Sequence, residues 1–188
     1  MDSFLTMAEL GGLGLRSLGI NVKISKYATF YRPELISLGD HVRIDDFCVI
    51  TGSVYLGNFC HLAAHSVFSG AIESSIIVDD FCTFAYGVKI FSRSDDYHGF
   101  SMTGSVVPRE LTSPISYDVR IGAHSIVGAS SILSPGAILG EGTAVGAMSL
   151  IKSTTEPWTI YAGIPAKALK SRSKQPLILK AAISAINE

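Results

Sequence analysis

Polar and titratable side chains gather in a short stretch near the middle of the chain, and their types suit a charged, hydroxyl-bearing ligand. Arg93 can pair with an anion such as a diphosphate, and Asp95 or Asp96 can hold an ammonium group or a hydroxyl. Tyr97 can stack on a sugar or base ring, and His98 can serve as a general base. Three of these residues also have a structural interpretation: turn capping for the two aspartates and plain surface charge for Arg93.

Two other sets of reactive side chains, the cysteines and the paired aspartates, recur at fixed positions of a sequence repeat, which favours a structural role over a catalytic one. Cys48, Cys60 and Cys82 each stand four residues after a repeated apolar position, in a slot that elsewhere holds valine, serine, alanine or threonine. This placement indicates small buried side chains, and an odd number of cysteines argues against a closed disulfide set. The aspartate pairs at 45–46 and 79–80 recur at matching turn positions, which favours solvated corners over a catalytic dyad.

An apolar residue at every sixth position identifies the element that must hold these groups. A period of six matches neither the 3.6-residue period of a helix nor the alternation of a strand. It indicates a short strand and a tight turn, repeated, as in a parallel β-helix. Glycine or alanine often follows the repeat position, where a sharp corner needs a small residue. The repeat positions are Leu38, Ile44, Ile50, Leu56, Leu62, Phe68, Val78, Phe84, Ile90, Ile121, Val127, Leu133, Leu139, Val145 and Ile151.

Three hexapeptides make one coil, so these fifteen positions predict about five coils. Two interruptions break the repeat, a short one over residues 69–77 and a polar loop over about residues 92–119. A loop of the second length on a compact domain is usually functional. We expect one domain over residues 1–188, with an N-terminal segment (1–20), a β-helix (21–152) and a C-terminal loop and helix (153–188).

Composition narrows the range of partners. Fifteen basic and sixteen acidic residues nearly balance, which gives no indication of binding to nucleic acid or to an anionic membrane. No apolar run approaches the roughly 20 residues of a membrane span. The first ten residues lack the basic start of a secretory signal, so a cytoplasmic protein in a reducing compartment is expected.

The last run of the repeat and the tail behind it resemble the hexapeptide-repeat acyltransferases, which include galactoside, maltose and bacterial sugar acetyltransferases. The resemblance covers about residues 35–172 and is carried by residues 119–122, 126–129, 135–140, 145–149 and 161–167. It implies an all-β, left-handed parallel β-helix of about five coils with an inserted loop and a C-terminal helix. It also implies an acetyl-CoA-dependent transferase that works as a homotrimer with active sites between subunits.

The same resemblance implies a set of residues for the acetyl-CoA cosubstrate, because in that family the CoA arm lies between the C-terminal coils of neighbouring subunits. Small side chains leave room for the arm, although a β-helix corner needs small residues in any case. Cations behind the last coil, Arg172 among them, suit the CoA phosphates or form a solvated tail. Trp158 is interpreted as an anchor over apolar surface, and no metal is expected. The implied residues are Gly128, Ala129, Gly146, Ala147, Ser149, Lys152, Lys167 and Lys170.

The acceptor end departs from the family pattern. Galactoside and maltose acetyltransferases place a histidine base just after the strand that enters the long loop, and the aligned position here is Asp95. Three interpretations stay open: Asp95 takes the proton, His98 swings into the site, or no strong base is needed. A hydroxyl needs its proton removed, whereas a neutral amine attacks unaided, so the missing histidine favours an amino sugar. His65 either lines the cleft or is a plain surface histidine.

Residues 95–99 and 102–104 are similar to the corresponding loop of dTDP-4-amino-4,6-dideoxy-D-glucose acyltransferases of surface polysaccharide synthesis. The main prediction is therefore an acetyl-CoA-dependent N-acetyltransferase acting on a nucleotide-linked amino sugar in O-antigen, lipopolysaccharide or capsule synthesis. A sugar O-acetyltransferase is the alternative. More remote are a non-catalytic solenoid, which has no use for a long polar loop, and a γ-type carbonic anhydrase, whose zinc ligands the histidine spacing does not resemble.

Overall fold

The computed structural model describes the backbone of residues 3–186 and the side chains of residues 3–182. The chain winds through about seven turns of a parallel β-helix, whose strands stack into three sheets of six, eight and six strands, all parallel except for the last strand of the eight-stranded sheet. Each strand is only two or three residues long in the regular coils because one hexapeptide makes both a side and a corner.

The regular coils contain three strands each. The first three coils contain β1 (Ser17–Leu18), β2 (Lys23–Ile24), β3 (Thr29–Tyr31), β4 (Ile36–Leu38), β5 (Arg43–Ile44), β6 (Val49–Thr51), β7 (Val54–Leu56), β8 (His61–Leu62) and β9 (Val67–Ser69). The fourth contains β10 (Ile76–Val78), β11 (Thr83–Phe84) and β12 (Lys89–Phe91), and a short hairpin of β13 (Arg93–Ser94) and β14 (Ile115–Ser116) follows it. The remaining coils contain β15 (Val119–Ile121), β16 (Ile126–Val127), β17 (Ile132–Leu133), β18 (Ile138–Leu139), β19 (Ala144–Val145) and β20 (Leu150–Ile151).

The predicted repeat positions all point into the coil, where they form one continuous core with side chains at most 3% exposed. Equivalent positions lie in register in successive coils, as Leu62, Phe84 and Val127 do. Burial of each such side chain contributes about 1.5–3 kcal/mol. The three cysteines are buried in the same interior, which confirms their interpretation as small buried residues.

The expected count of about five coils is too low. A further coil precedes Leu38, and its interior residues Leu18, Ile24 and Phe30 keep the six-residue spacing. A short 3-10 helix, Pro33–Leu35, shifts the phase before the next coil and hides this continuity in the sequence. A last turn begins at β21 (Thr159–Gly163), where Tyr161 pairs with Val145.

Helices and a hairpin close the two ends. Helix α1 (Met7–Gly11) has a capping box in which Thr6 and Glu9 bond each other's backbone N–H groups. At the other end β21 turns back into antiparallel β22 (Ala166–Ser171), and helix α2 (Gln175–Ile186) follows. In the described part of the chain, neither helix is long and apolar enough to cross a membrane.

The two interruptions lie side by side, and they are named here the short insertion (residues 70–75) and the long loop (residues 92–118). The short insertion joins β9 to β10, and the long loop joins β12 to β15. β9 pairs with β12 and β10 pairs with β15, so both interruptions leave and re-enter neighbouring coils at the same corner of the β-helix.

Candidate functional site

The base of the long loop carries the clearest concave surface near the predicted site residues. Antiparallel pairing of Arg93 with Ser116 holds the outgoing and returning ends of the loop together. Three adjoining clefts of about 440, 320 and 640 Å³ open there, and the half-buried Arg93 lines all of them. Asp95 lines the first and the third. The structure therefore brings these two predicted site residues to one place.

Asp95 is exposed, and a hydrogen bond holds its carboxylate. Oδ2 of Asp95 accepts from the backbone N–H of Gly104 at 3.0 Å, from the far side of the long loop. Gly104 lines the largest of the three clefts together with Asp95 and Arg93. A carboxylate in this position can accept a proton or hold an ammonium group at the edge of the cleft.

Asp96 is 9% exposed, and its carboxylate organises the loop. Its carboxylate accepts hydrogen bonds from the backbone N–H groups of His98, Phe100 and Ser101 at 2.7, 2.7 and 2.9 Å. These bonds, that to His98 foremost, hold the pKa of Asp96 below its ordinary value. The arrangement favours turn capping, one of the two interpretations open at the level of the sequence, over contact with a substrate.

Three predicted residues lie away from the clefts within the subunit. Tyr97 is 90% exposed, and the exposed ring of His98 lies 6.3 Å from that of Phe100. In the described part of the chain neither Tyr97 nor His98 lines the three clefts at the loop base. His65 occupies a corner of an earlier coil, where its ring stacks on Phe47 at 5.1 Å.

The short insertion supplies residues that the sequence interpretation missed. Glu73 lines two of the clefts and accepts a hydrogen bond from the guanidinium of Arg109, a long-loop residue, with Nη2 to Oε1 at 2.7 Å. The bond from its own backbone N–H, with help from Arg93 and Arg109, holds the pKa of Glu73 below its ordinary value. The interruption of the repeat at residues 69–77 was the signal, and it indicated only a short break in the coils.

The glycines of the predicted CoA-binding set are required by coil stacking. A side chain at position 128 would place Cβ 2.5 Å from the backbone nitrogen of Ala147, and one at 146 would meet Cβ of Ala162 at 2.9 Å. Ser149 is buried, and its hydroxyl accepts from the N–H of Gly163 at 3.0 Å. Stacking therefore accounts for these three positions without a ligand.

The remaining members of that set lie at the surface. Ala129 is half-buried and Ala147 is exposed at a neighbouring corner, and Lys152, Lys167 and Lys170 are exposed beyond it. These side chains remain accessible to a ligand.

Arg172 is used inside the subunit. Nη1 of Arg172 donates to the carbonyl oxygens of His124 and Gly142 at 2.7 and 2.9 Å, and the guanidinium lies 6.0 Å from the ring of Trp158. Trp158 is 7% exposed and packs beside His124, as expected for an anchor over apolar surface. Main-chain carbonyls thus bind the Nη1 donors of Arg172, which favours a structural role, and a contact between Arg172 and the CoA phosphates stays a prediction.

A column of rings runs along the corner of the β-helix below Trp158. His41, Phe59, Phe81 and His124 occupy equivalent left-handed positions with φ between 57° and 62°. Their rings stack at 4.5, 4.8 and 5.1 Å. This stacking accounts for His124 structurally, and within residues 3–182 no three side chains of the metal-binding types lie close enough to share an ion.

Comparison with known proteins gives one consistent result. No family model matches the chain. A curated Escherichia coli relative named dTDP-4-amino-4,6-dideoxy-D-glucose acyltransferase is 39% identical over 181 residues, which cover 95% of this chain and 93% of the relative. Galactoside acetyltransferase in complex with coenzyme A is 14% identical with a TM-score of 0.57, and the match covers 94% of this chain and 76% of the galactoside acetyltransferase chain. At this identity the match shows a similar fold and nothing more.

The structures of AntD, an N-acyltransferase from Bacillus cereus, superpose more closely. The complex with dTDP and 3-hydroxybutyryl-CoA is 36% identical, with a TM-score of 0.95 and 100% of both chains covered. A serine-to-cysteine variant in complex with dTDP-4-amino-4,6-dideoxyglucose and coenzyme A is 35% identical, with a TM-score of 0.92 and 98% of both chains covered.

Proposed function

We propose that this chain, which belongs to the dTDP-4-amino-4,6-dideoxy-D-glucose acyltransferase family, transfers an acetyl group from acetyl-CoA to the amino group of a dTDP-linked amino sugar. The observation that carries the proposal is 39% identity to an enzyme of that name over nearly the whole chain. The family, the β-helix and CoA-dependent acyl transfer agree with the prediction from sequence. The O-acetyltransferase alternative has no comparable support.

The chemistry needs one nucleophile and one proton acceptor. The neutral amine of the sugar attacks the thioester carbonyl, a C–N bond forms, and the tetrahedral intermediate expels the CoA thiolate. The nitrogen gives up a proton as the amide forms, and the thiolate takes one up from solvent. A positioned base contributes on the order of 100 to 10,000-fold to such a step.

Asp95 is the residue proposed to hold the amine and to accept its proton. Support comes from its place at two clefts and from the Gly104 N–H that fixes its carboxylate. His98, the alternative base, is an exposed residue of the long loop. A role for His98 would require the loop to move or a second subunit to bring the histidine closer.

Arg93 is proposed to bind the diphosphate of the nucleotide. Arg93 lines all three clefts, and the planar bidentate donors of a guanidinium match phosphate oxygens. Asp96 is proposed to act indirectly by shaping the loop, whereas Tyr97 and His65 remain candidates for contact with the sugar or base. Ala129, Ala147 and the three lysines are the candidates for the CoA arm and its phosphates.

The finer expectations are a homotrimer and a cytoplasmic location. Exposed apolar side chains occur on all three sheets, Tyr55 and Ile138 on one and Ile126 and Ile132 on the other two, and contacts between subunits would cover such surface. Three free thiols suit a reducing compartment, which is also where CoA thioesters and nucleotide sugars are made. A place in surface polysaccharide synthesis follows from the substrate class.

A substrate panel tests the function. Thiol release from acetyl-CoA is measured with dTDP-4-amino-4,6-dideoxyglucose, with the matching 4-hydroxy sugar nucleotide and with a plain galactoside. We expect turnover only with the amino sugar and an amide in the product by mass spectrometry. Turnover with the galactoside and none with the amino sugar would overturn the proposal. Light scattering tests the trimer, and a stable monomer at the assay concentration would exclude it.

A further inference from the structure

We infer that Ser74 and Ser92 form a serine lock that joins the short insertion to the long loop and positions Arg93 and Asp95 for acyl transfer. Neither serine touches the proposed substrate, so both are positioning residues. The catalytic part of this inference rests on the proposed function. The structural part, that the lock holds the long loop, stands on contacts alone.

The two serines bond each other reciprocally in the interior. Ser74 Oγ donates to the carbonyl oxygen of Ser92 at 2.9 Å, Ser92 Oγ donates to the carbonyl oxygen of Ser74 at 2.9 Å, and the hydroxyl oxygens lie 3.0 Å apart. Ser92 Oγ also accepts from the backbone N–H of Ala71 at 2.9 Å. Ser92 is 0% and Ser74 3% exposed.

Burial of these hydroxyls has no hydrophobic explanation. A buried hydroxyl is unfavourable unless it is hydrogen-bonded, and both of these hydroxyls bond across two separate segments, next to apolar interior residues such as Phe68 and Ile90. Two polar side chains here indicate that the position is specified by directional bonds rather than by packing.

Ser92 is also the point where the returning end of the long loop meets its start. The carbonyl oxygen of Ser92 accepts from the backbone N–H of Tyr117 at 2.9 Å, in addition to the bond from Ser74. One residue therefore joins the short insertion, the outgoing strand β13 and the returning strand β14.

The site residues are close in sequence to the two serines of the lock. Arg93 and Asp95 are one and three residues beyond Ser92, and Glu73, which bonds Arg109 across the clefts, immediately precedes Ser74. The exposed Glu73–Arg109 pair is weak alone, whereas the buried serines fix the backbone beside Glu73 and beside Arg93. A shift of ~1 Å in the position of a catalytic group can lower turnover by about 100-fold, even when the mutation that causes it is far from the reacting atoms.

Ser92→Ala and Ser74→Ala test the lock, with Ser66→Ala as the matched control. Ser66 is also 0% exposed, and its hydroxyl donates to the carbonyl of Ala63 at 2.7 Å within a regular coil. Ser74→Ala keeps the Ser92 hydroxyl as acceptor for Ala71, so it serves if Ser92→Ala does not fold. Two quantities are measured: hydrogen exchange over residues 92–118, and kcat and KM for each substrate.

We expect both lock variants to exchange faster across the long loop and to lose about tenfold or more in kcat/KM for the amino-sugar nucleotide, with KM for acetyl-CoA within about twofold. Ser66→Ala is expected to change neither quantity. Unchanged loop exchange in both lock variants, or an equal loss in Ser66→Ala, would overturn the lock. Faster exchange with unchanged kcat/KM would overturn its positioning role.

Failure of the proposed function gives a different result. A wild-type protein that acylates no amino-sugar nucleotide would remove the catalytic meaning of the lock. The exchange measurement would then still support or overturn the structural part, because it needs no substrate.

Discussion

The backbone N–H of Gly104 donates to the carboxylate of Asp95 at 3.0 Å, across the width of the long loop. This bond connects the base of the loop, where Asp95 follows β13, to a segment nine residues further on. Both residues line the same cleft of about 640 Å³. The hydrogen bond from Gly104 thus orients the Asp95 carboxylate. A change in the shape of the long loop would therefore move the proposed proton acceptor.

Replacement of Asp95 by Asn should lower kcat for the amino-sugar substrate by roughly 100-fold, because the amide cannot accept the proton that the nitrogen releases. The amide oxygen still accepts from Gly104, so the loop should keep its shape and KM for acetyl-CoA should stay within about twofold. Steady-state assays of thiol release at saturating acetyl-CoA measure the change.

His98→Ala is the matched comparison for Asp95→Asn, since both remove a titratable group from the same loop. We expect near wild-type turnover from His98→Ala. A large loss from His98→Ala alone would assign the base to His98. Near-full turnover in both variants would show that the amine needs neither residue.

The β-helix was predictable because its constraint is periodic. Every sixth residue must fill the interior, so Leu38 through Ile151 could be assigned to the core from spacing alone, and all of those positions are buried. The same phase identified the cysteines as interior residues. The first coil was left out of the count, although the β-helix was expected to begin at residue 21, because the short 3-10 helix at Pro33–Leu35 shifts the phase by two residues between Phe30 and Leu38.

The site was only partly predictable because its contacts cross segments with no period. Arg93 and Asp95 were found from residue type and position in the loop. Glu73 and Ser74 were missed because their partners lie 36 and 18 residues away, and nothing in the sequence specifies that register. The role of Gly128 was ambiguous for another reason. Close stacking of coils at a corner and binding of the CoA arm in a groove both require a small residue.

Gly128→Ala should destabilise the protein whether or not CoA is present. The added methyl would lie 2.5 Å from the nitrogen of Ala147 in the next coil, and such overpacking costs about 1–3 kcal/mol. A fall in melting temperature of roughly 2–12 °C follows for a chain of this length. Gly11→Ala is the control, because a methyl there has no atom within 4 Å. An unchanged melting temperature with lost CoA binding would instead assign Gly128 to the groove.

The three thiols should be inert in the folded protein. Burial raises the pKa of Cys48 to about 11, and the neighbouring thiol of Cys60 together with burial raises that of Cys82. Since the thiolate is the reactive form, a disulfide reagent at pH 7.5 should label no thiol in the native state and all three in denaturant. Rapid labelling of one native thiol, with loss of activity, would contradict the structural interpretation of the cysteines.

His124 should make stability depend on pH below neutrality. Burial, followed by the positive charges of Lys180 and Arg172, lowers the pKa of His124, against the opposing charges of Glu141 and Asp80. A histidine with a lowered folded pKa contributes its full stability above the unfolded value of about 6.5. That contribution is lost as the pH falls through the folded pKa, because the unfolded chain binds the proton more readily.

His124→Phe should remove that dependence while keeping the ring column. Phenylalanine already occupies the equivalent left-handed position at Phe59 and Phe81, with φ of 57° and 60°, so the backbone tolerates it. Melting curves between pH 7.5 and 5 should show the wild type losing more stability than the variant, with the gap opening below about pH 6.5. Parallel curves for the two proteins over this range would mean that His124 does not titrate differently on folding.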